Sequence, residues 1–220
     1  MFQVGRFWFP DGERHFTQFG DQVADYGAPD RNAAYRYIRQ WRCALDVGAN
    51  VGIFASDFSA KFAQVIAFEP IPTTLACLQR NVPENVQIEP VAIADKAGTL
   101  QMYPVTTNCG GSFIYNHPKI HFHQFETEPD TLIEVPVRTI DSYGFPAVDL
   151  IKLDIQGAEY PAIVGATQTI MRCRPVIMLE QKPASPELAM YWKKTSKLLK
   201  SLGMTAKEKV RSDRIFVFDD

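Results

Sequence analysis

Short apolar runs alternate with helical patterns along most of the chain. The runs occupy residues 43–47, 65–69, 86–92, 148–153 and 176–180, and helical spacing of apolar positions follows most of them. This alternation predicts a largely parallel sheet with helices on both faces. Residues 205–210 and 214–218 predict a final antiparallel hairpin at one end of that sheet. The predicted fold class is therefore α/β.

The first 42 residues follow a different pattern. Residues 2–19 alternate aromatic and polar side chains around residues 10–12, which predicts two strands joined by a turn there. Asp30 is expected to cap a helix that runs to Trp41. We expect the aromatic side chains of this piece to pack on the sheet, with a lid over a ligand site as the alternative.

Composition limits the classes of protein that remain. A chain of 220 residues fits one domain, with residues 1–42 as an N-terminal hairpin and helix and residues 43–220 as the core. Lys and Arg total 23 against 25 Asp and Glu, so no broad basic field suggests a nucleic-acid partner. The four cysteines show no C-x-x-C spacing and fit free thiols. No stretch reaches the ~20 apolar residues of a membrane span, so we expect a soluble, cytoplasmic protein, whose oligomeric state stays open.

The segment LDVGANVGIFA, residues 45–55, is the most informative one in the chain. Its first residues end a buried strand, and Gly48, Asn50 and Gly52 predict a tight turn before a helix. Glu69 ends the next predicted strand, about 20 residues after the first glycine, where an acid meets ribose hydroxyls in βαβ folds. The spacing therefore predicts a ligand that carries a ribose.

The turn also distinguishes between ribose ligands. A dinucleotide site needs G-x-G-x-x-G so that backbone amides can touch a pyrophosphate, but Asn50 replaces the second glycine. Asp46 ends the strand just before the turn, where its charge would repel a pyrophosphate and suit an ammonium or a sulfonium. These residues favour S-adenosylmethionine (AdoMet) over NAD, and they disfavour an NAD-dependent oxidoreductase.

Residues 104–131 break the alternation of strands and helices. They contain a glycine-rich stretch, residues 108–112, and every histidine except His15. Long segments of this kind in compact domains tend to be functional, so we predict an acceptor-binding loop. Cys109 has no identifiable histidine and acid partners and is interpreted as incidental.

Six separate motifs resemble one family. In chain order they are LDVGANVG, FEPIP, VAIADKAGTL, VPVRTIDSY, VDLIKLDIQGAEYPAIVGA and RPVIMLEQ, from Leu45 to Gln181. Their order and spacing resemble the FkbM family of AdoMet-dependent methyltransferases. The resemblance implies a seven-stranded, Rossmann-like class I methyltransferase fold with a mostly parallel sheet. It also implies methyl transfer, usually to an oxygen of a sugar, polyketide or other small molecule.

The resemblance also implies a cofactor site. Its turn residues, which would line the methionine end of AdoMet, are Asp46, Gly48, Ala49, Asn50 and Gly52. Glu69 would hold the ribose, and Ala92 and Asp95 would approach the adenine.

Two positions depart from the family pattern. The pattern K-x-D-x-E-G-x-E after the fourth strand is matched here by Lys152, Asp154, Gln156, Gly157 and Glu159, with an amide in place of one acid. The family's Glu-x-His after the fifth strand is replaced by Glu180, Gln181 and Lys182. Both departures leave a noncatalytic AdoMet-binding or partner-binding module as the alternative function.

Asp154 is the first candidate for orienting or deprotonating the acceptor, because ligands of α/β sheets bind where strands end. A helix cap is its structural alternative. Mg²⁺ held by Asp154, Glu180 and Gln181 is an open possibility that would assist the proton transfer.

A histidine base from the loop, His121 or His123, competes with that proposal, because imidazole is a better base near neutral pH. Lys152 and Glu159 are expected to pair with each other. The resulting hypothesis is an AdoMet-dependent O-methyltransferase that acts on a saccharide or another small hydroxylated molecule.

Overall fold

The computed structural model describes residues 1–114, 132–181 and 186–219. The strands are β1 Phe2–Val4, β2 Phe7–Phe9, β3 Cys43–Val47, β4 Gln64–Phe68, β5 Val86–Glu89, β6 Ala92–Ile93, β7 Gly98–Tyr103, β8 Phe113–Ile114, β9 Ile133–Arg138, β10 Leu150–Leu153, β11 Val176–Glu180, β12 Met204–Val210 and β13 Asp213–Phe218. The α-helices are α1 Ala28–Tyr35, α2 Ile53–Ser59, α3 Pro72–Asn81, α4 Glu159–Val164, α5 Thr167–Cys173 and α6 Pro186–Ser201.

A seven-stranded mixed sheet forms the centre of the molecule, in the order β12-β13-β11-β10-β3-β4-β5. The five strands from β11 to β5 are parallel, and β13 pairs antiparallel with both β11 and β12. Leu153 pairs with Val47, and Val47 pairs with Phe68, so the carboxyl ends of the central strands meet at one edge. The predicted α/β class is confirmed.

Apolar side chains cover both faces of this sheet. Successive residues of a strand face opposite sides, and Ala44 and Leu45 accordingly belong to different buried clusters. Leu45 packs in the cluster that contains apolar residues of α4, α5 and α6, whereas Ala44 packs in the one that contains residues of α1, α2 and α3. The helices therefore fix the sheet from both sides.

The predicted strand over residues 86–92 is divided in two. β5 ends at Glu89, and β6 begins at Ala92 and pairs with β9 in a separate four-stranded sheet, β6-β9-β7-β8. Pro90 stands between them and has no backbone N–H to continue the β4 ladder. The break directs the chain away from the main sheet and over its carboxyl edge.

The N-terminal prediction placed its turn and its helix wrongly. The hairpin turns at Gly5, whose φ is 53°, rather than at residues 10–12. The helix begins after Gly27 and ends at Tyr35, and Asp30 lies inside its first turn instead of capping it. Pro29 provides the start signal, since proline fits the first turn of a helix.

The expectations of free thiols and of no membrane span can be compared with the described residues. All four cysteines are free. Among the described helices, none is both long and apolar enough to cross a membrane.

Candidate active site

The turn after β3 brings the ends of two strands together. Gly48, Asn50 and Gly52 have φ angles of 78°, 52° and 92°. A Cβ atom on Gly48 would lie 2.2 Å from the carbonyl oxygen of Asp154, at the end of β10. Only glycine permits that approach. The turn is therefore set by packing against the next strand as well as by its own backbone conformation.

Glu69 follows β4 and is fixed by two backbone groups. The Asn50 N–H donates to its Oε2 at 2.9 Å, and the Ile71 N–H donates to its Oε1 at 2.9 Å. The residue is 6% exposed. Burial raises its pKa to about 7, although both hydrogen bonds oppose the shift. The predicted ribose-binding acid is thus buried and locked to the predicted turn.

Asp46 has a partner inside the protein. Its fully buried carboxylate pairs with Nζ of Lys152 on the neighbouring strand at 3.1 Å. The same ammonium donates to the carbonyl oxygen of Gly48 at 3.1 Å. Burial alone would lower the pKa of Lys152, but the charges of Asp46 and Asp154 outweigh burial and raise it. The two buried charges therefore stabilise each other, because a buried carboxylate needs a cation beside it.

The predicted pairing of Lys152 with Glu159 is wrong. Oε1 of Glu159 accepts hydrogen bonds from the backbone N–H of Ile155 at 3.1 Å and of Gly157 at 3.2 Å. Burial raises the pKa of Glu159 to about 7 against the effect of these bonds. The acid satisfies N–H groups that the turn after β10 leaves unpaired, and so it fixes that turn.

A first cavity opens at the carboxyl edge of the sheet. Glu69 lies in its wall, and much of the remaining lining is apolar, including Ile71, Val91, Ala92, Ile93, Leu100, Met102 and Ile114. Asp95 does not line it, and its Cα instead lies 3.2 Å from where a Cβ on Gly165 would be. A buried acid beside an apolar wall suits a ligand with a ribose and a flat base.

A second cavity adjoins the first. We call the residues that line both cavities the shared wall: Gly48, Asn50, Gly110, Asp154 and Gln156. Ala49 lines the second cavity, whereas Gly52 lines neither and packs near Leu78. The buried Oδ1 of Asn50 has no hydrogen-bond partner among the described residues, so the shared wall offers a vacant acceptor.

The N-terminal segment closes one side of the second cavity. His15, Phe16 and Tyr26 line it, and the rings of His15 and Tyr26 meet edge to face with centroids 6.1 Å apart. Glu13 attaches this segment to the glycine-rich loop: its carboxylate accepts from the N–H of Phe16 at 3.0 Å and of Cys109 at 2.6 Å. The aromatic residues thus pack on the core and also line a cavity.

Gln156 connects two acids at the ends of β10 and β11. Its Nε2 donates to Oδ1 of Asp154 at 2.9 Å and to Oε2 of Glu180 at 3.2 Å. Gln181 is turned to α6, where its amide donates to Ser196 Oγ at 3.1 Å. The predicted Mg²⁺ ligands therefore do not fit a cation, because the Gln156 N–H₂ group lies between the two acids, where it donates to one oxygen of each, and Gln181 is engaged elsewhere.

The histidine base cannot be placed, since His121 and His123 lie outside the described residues. Of the predicted acceptor loop, the part up to Ile114 is described, and Gly110 belongs to the shared wall. Burial, reinforced by Glu13, raises the pKa of the Cys109 thiol far above its ordinary value. This thiol stays protonated, which agrees with an incidental role.

Sequence reasoning missed His15, Tyr26 and the bridge made by Gln156. His15 and Tyr26 belong to the N-terminal segment, which the hydrogen bond between Glu13 and Cys109 attaches to the glycine-rich loop. These two bonded residues are 96 positions apart, so no local sequence pattern indicates the contact. Gln156 did carry a signal, because it replaces an acid in a motif of charged residues. Its φ of 51° could not be predicted from the residue type.

Solved structures share this fold. A methyltransferase FkbM from Methylobacillus flagellatus matches 94% of this chain and 55% of its own with a TM-score of 0.53 and 15% identity. A precorrin 8W decarboxylase from Methanobacterium thermoautotrophicum matches 99% of both chains with a TM-score of 0.52 and 11% identity. At these identities the likeness concerns the fold alone, and that fold is the α/β fold of class I methyltransferases.

Sequence comparison identifies the family. Residues 46–204 match the methyltransferase FkbM domain, and the chain belongs to the FkbM methyltransferase family. It is 31% identical over 146 residues to 2-O-methyltransferase NoeI of Sinorhizobium fredii, a match that covers 59% of each chain. It is 27% identical over 138 residues to hexuronic acid methyltransferase AglP of Haloferax volcanii, covering 60% of this chain and 53% of the relative. The match thus spans somewhat more than half the length of these relatives.

Proposed function

We propose that the chain binds AdoMet with the adenosine in the first cavity and the methionine group along the shared wall. Glu69 supplies the acceptor for the ribose hydroxyls, and the apolar wall around Ala92 receives the adenine. Gly48 lies in the shared wall beside the proposed methionine group, and the unused Oδ1 of Asn50 suits the ammonium of that group. The buried acid locked to the glycine turn is the observation that carries this proposal.

The turn residues have different parts in this site. Gly48, Ala49 and Asn50 lie at cavity walls, so they are the proposed contacts. Asp46 acts through Lys152, whose ammonium it holds against the Gly48 carbonyl. Gly52 permits the packing of α2 on α3.

The proposed reaction is an O-methylation. Bound AdoMet supplies a methyl group activated by its sulfonium. The acceptor hydroxyl oxygen forms the new C–O bond while the C–S bond breaks with its electron pair going to sulfur, and the hydroxyl proton passes to the Asp154 carboxylate. An alcohol oxygen that is bonding to carbon becomes strongly acidic, so a carboxylate suffices as the base. Asp154 is assigned because it lies in the wall that both cavities share. A base at His121 or His123 stays a prediction.

The second cavity is the proposed acceptor site, and a saccharide is the proposed acceptor. Phe16 and Tyr26 offer flat apolar surfaces, while His15 and Asn108 offer polar groups beside them. This mixture suits a sugar ring, which has apolar faces and hydroxyls at its rim. One relative is itself named a hexuronic acid methyltransferase, which supports the same class.

Methyl transfer from labelled AdoMet tests the proposal. The purified protein would be incubated with nitrophenyl glycosides of neutral hexoses and of hexuronic acids, with Asp154→Asn as the inactive control. We expect labelled methyl ether and S-adenosylhomocysteine in equal amounts from one of the two sets. Binding of S-adenosylhomocysteine without transfer to either set would favour the noncatalytic module.

A further inference from the structure

The ends of β10 and β11 place two carboxylates side by side. Leu153 pairs with Leu179 in the parallel ladder. Asp154 follows the last residue of β10, and Glu180 is the last residue of β11. Two negative charges this close repel each other unless something between them offers positive charge or hydrogen bonds. A divalent cation is one solution to this problem, and a neutral donor is another.

The donor here is the amide of Gln156. An amide nitrogen carries two N–H groups, which is the number needed to serve one oxygen of each acid. The distances of 2.9 Å to Asp154 Oδ1 and 3.2 Å to Glu180 Oε2 fit both bonds. The bridge therefore connects the proposed proton acceptor to the neighbouring strand without adding a charge.

The backbone that presents Gln156 is held in an unfavourable conformation. Its φ is 51°, and Gly157 follows at 100°. A residue with a Cβ rarely adopts this left-handed conformation, because its side chain then crowds the backbone. Glu159 retains the conformation, because its Oε1 binds the N–H of the residue before Gln156 and of the residue after it. The loop is thus built to place this amide.

We propose that Gln156 is a positioning residue that takes the place of a divalent cation. It fixes Asp154 in the shared wall and makes methyl transfer independent of metal. An amide N–H₂ repels a cation from the same oxygens, whereas a carboxylate at this position would complete a set of three acids. The part of the inference that concerns methyl transfer rests on the proposed function, whereas the part that concerns cation binding does not.

Replacement by glutamate tests the cation part directly. Wild type, Gln156→Glu and Gln181→Glu would be titrated with Mn²⁺ in the presence of S-adenosylhomocysteine, in chelator-treated buffer, and followed by electron paramagnetic resonance. Gln181→Glu is the matched control, because it makes the same chemical change at an amide directed to Ser196. We expect stoichiometric Mn²⁺ binding by Gln156→Glu alone, at least about tenfold tighter than in the other two proteins.

Two results would overturn this part of the inference. One is a stoichiometric Mn²⁺ site in the wild type, and the other is equal Mn²⁺ affinity of the two glutamate variants. Neither measurement requires an acceptor, so the result stands even if the proposed methyl transfer fails.

The catalytic part is tested with the acceptor set described above. Wild-type turnover should be unchanged by EDTA, whereas Gln156→Glu should lose activity in EDTA and recover it with Mn²⁺. Gln156→Met keeps the volume without either hydrogen bond and covers the case in which the glutamate variant does not fold. We expect it to lower kcat at least about tenfold, with KM and S-adenosylhomocysteine affinity within about twofold of wild type. Full kcat in Gln156→Met, or loss of wild-type activity in EDTA, would contradict the proposal.

Discussion

The two cavities differ in which parts of the chain build them. Every described residue that lines the first cavity lies within residues 46–204, the range that matches the FkbM domain. The second cavity takes His15, Phe16 and Tyr26 from before that range. Strand ends and their turns therefore define the proposed cofactor side, whereas the proposed acceptor side depends on a segment outside the family match. Changes that displace the backbone of the shared wall should damage both cavities, and changes in a residue that lines a single cavity should act mainly on that cavity.

Lys152→Met is expected to have the largest effect on stability, because it removes the ammonium that pairs with Asp46 and donates to the Gly48 carbonyl oxygen of the shared wall. The carboxylate of Asp46 would remain fully buried without its partner at 3.1 Å. Breaking such a pair costs about 3–5 kcal/mol of unfolding free energy, which urea unfolding measures. The double variant Asp46→Asn with Lys152→Met should recover most of that loss. A loss below about 1 kcal/mol in the single variant would mean that the pair does not support the wall.

Gly48→Ala should be the next most damaging change, and it should affect both cavities. Its Cβ would lie 2.2 Å from the Asp154 carbonyl oxygen, so β3 and β10 must separate. Gly144→Ala is the matched control, because Gly144 also has a positive φ but no atom of the described residues lies within 4 Å of its Cβ position. We expect about 2 kcal/mol more destabilisation for Gly48→Ala than for the control. Equal unfolding free energies would show that only the backbone angle matters.

A change of pH should act on the first cavity through Glu69. The pKa of Glu69 is about 7, so lowering the pH from 8 to 6 protonates the acid proposed to accept from the ribose. Calorimetry should then show S-adenosylhomocysteine binding about tenfold more weakly at pH 6. Glu69→Gln should remove this dependence. Constant affinity of the wild type over this range would contradict the role of an ionised Glu69.

The same titration affects the stability of the free protein in the opposite direction. Glu69 and Glu159 both have a folded-state pKa of about 7, above the ordinary 4.5. Between these values the folded state binds more protons than the unfolded state. Their contribution to stability is therefore complete below about pH 4.5 and is lost as the pH rises through about 7.

Glu13→Gln should have the smallest effect, and it should act mainly on the second cavity. It weakens the bonds from Phe16 N–H and Cys109 N–H that attach the N-terminal segment to the glycine-rich loop. We expect acceptor KM to rise about fivefold, with S-adenosylhomocysteine affinity within about twofold of wild type. Asp21→Asn, an exposed change in the same segment, provides the control. A larger loss of S-adenosylhomocysteine affinity than of acceptor KM would reverse the assignment of the two cavities.

Sequence reasoning succeeded where local chemistry decides the structure. The glycine turn, the acid after β4 and the alternation of strands and helices follow from backbone angles and apolar spacing. Sequence reasoning failed where residues far apart in the chain decide the structure. The separate sheet that begins at Ala92 depends on pairing with β9, and the partner of Lys152 depends on the register of β10 with β3. Gln156 illustrates both cases, since its amide was visible but the acids that it connects are defined only by the folded sheet.

Titration of the protein with S-adenosylhomocysteine, comparing wild type with Glu69→Gln, tests the proposed cofactor site most directly. Glu89→Gln is the control, because Glu89 ends the adjacent strand but lines neither cavity. Circular dichroism would confirm that all three proteins fold. We expect the affinity of Glu69→Gln to fall about 100-fold, as charged hydrogen bonds to the ribose are lost, and that of Glu89→Gln to stay within about twofold. Equal binding by wild type and Glu69→Gln would contradict the assignment of the first cavity to the adenosine of AdoMet.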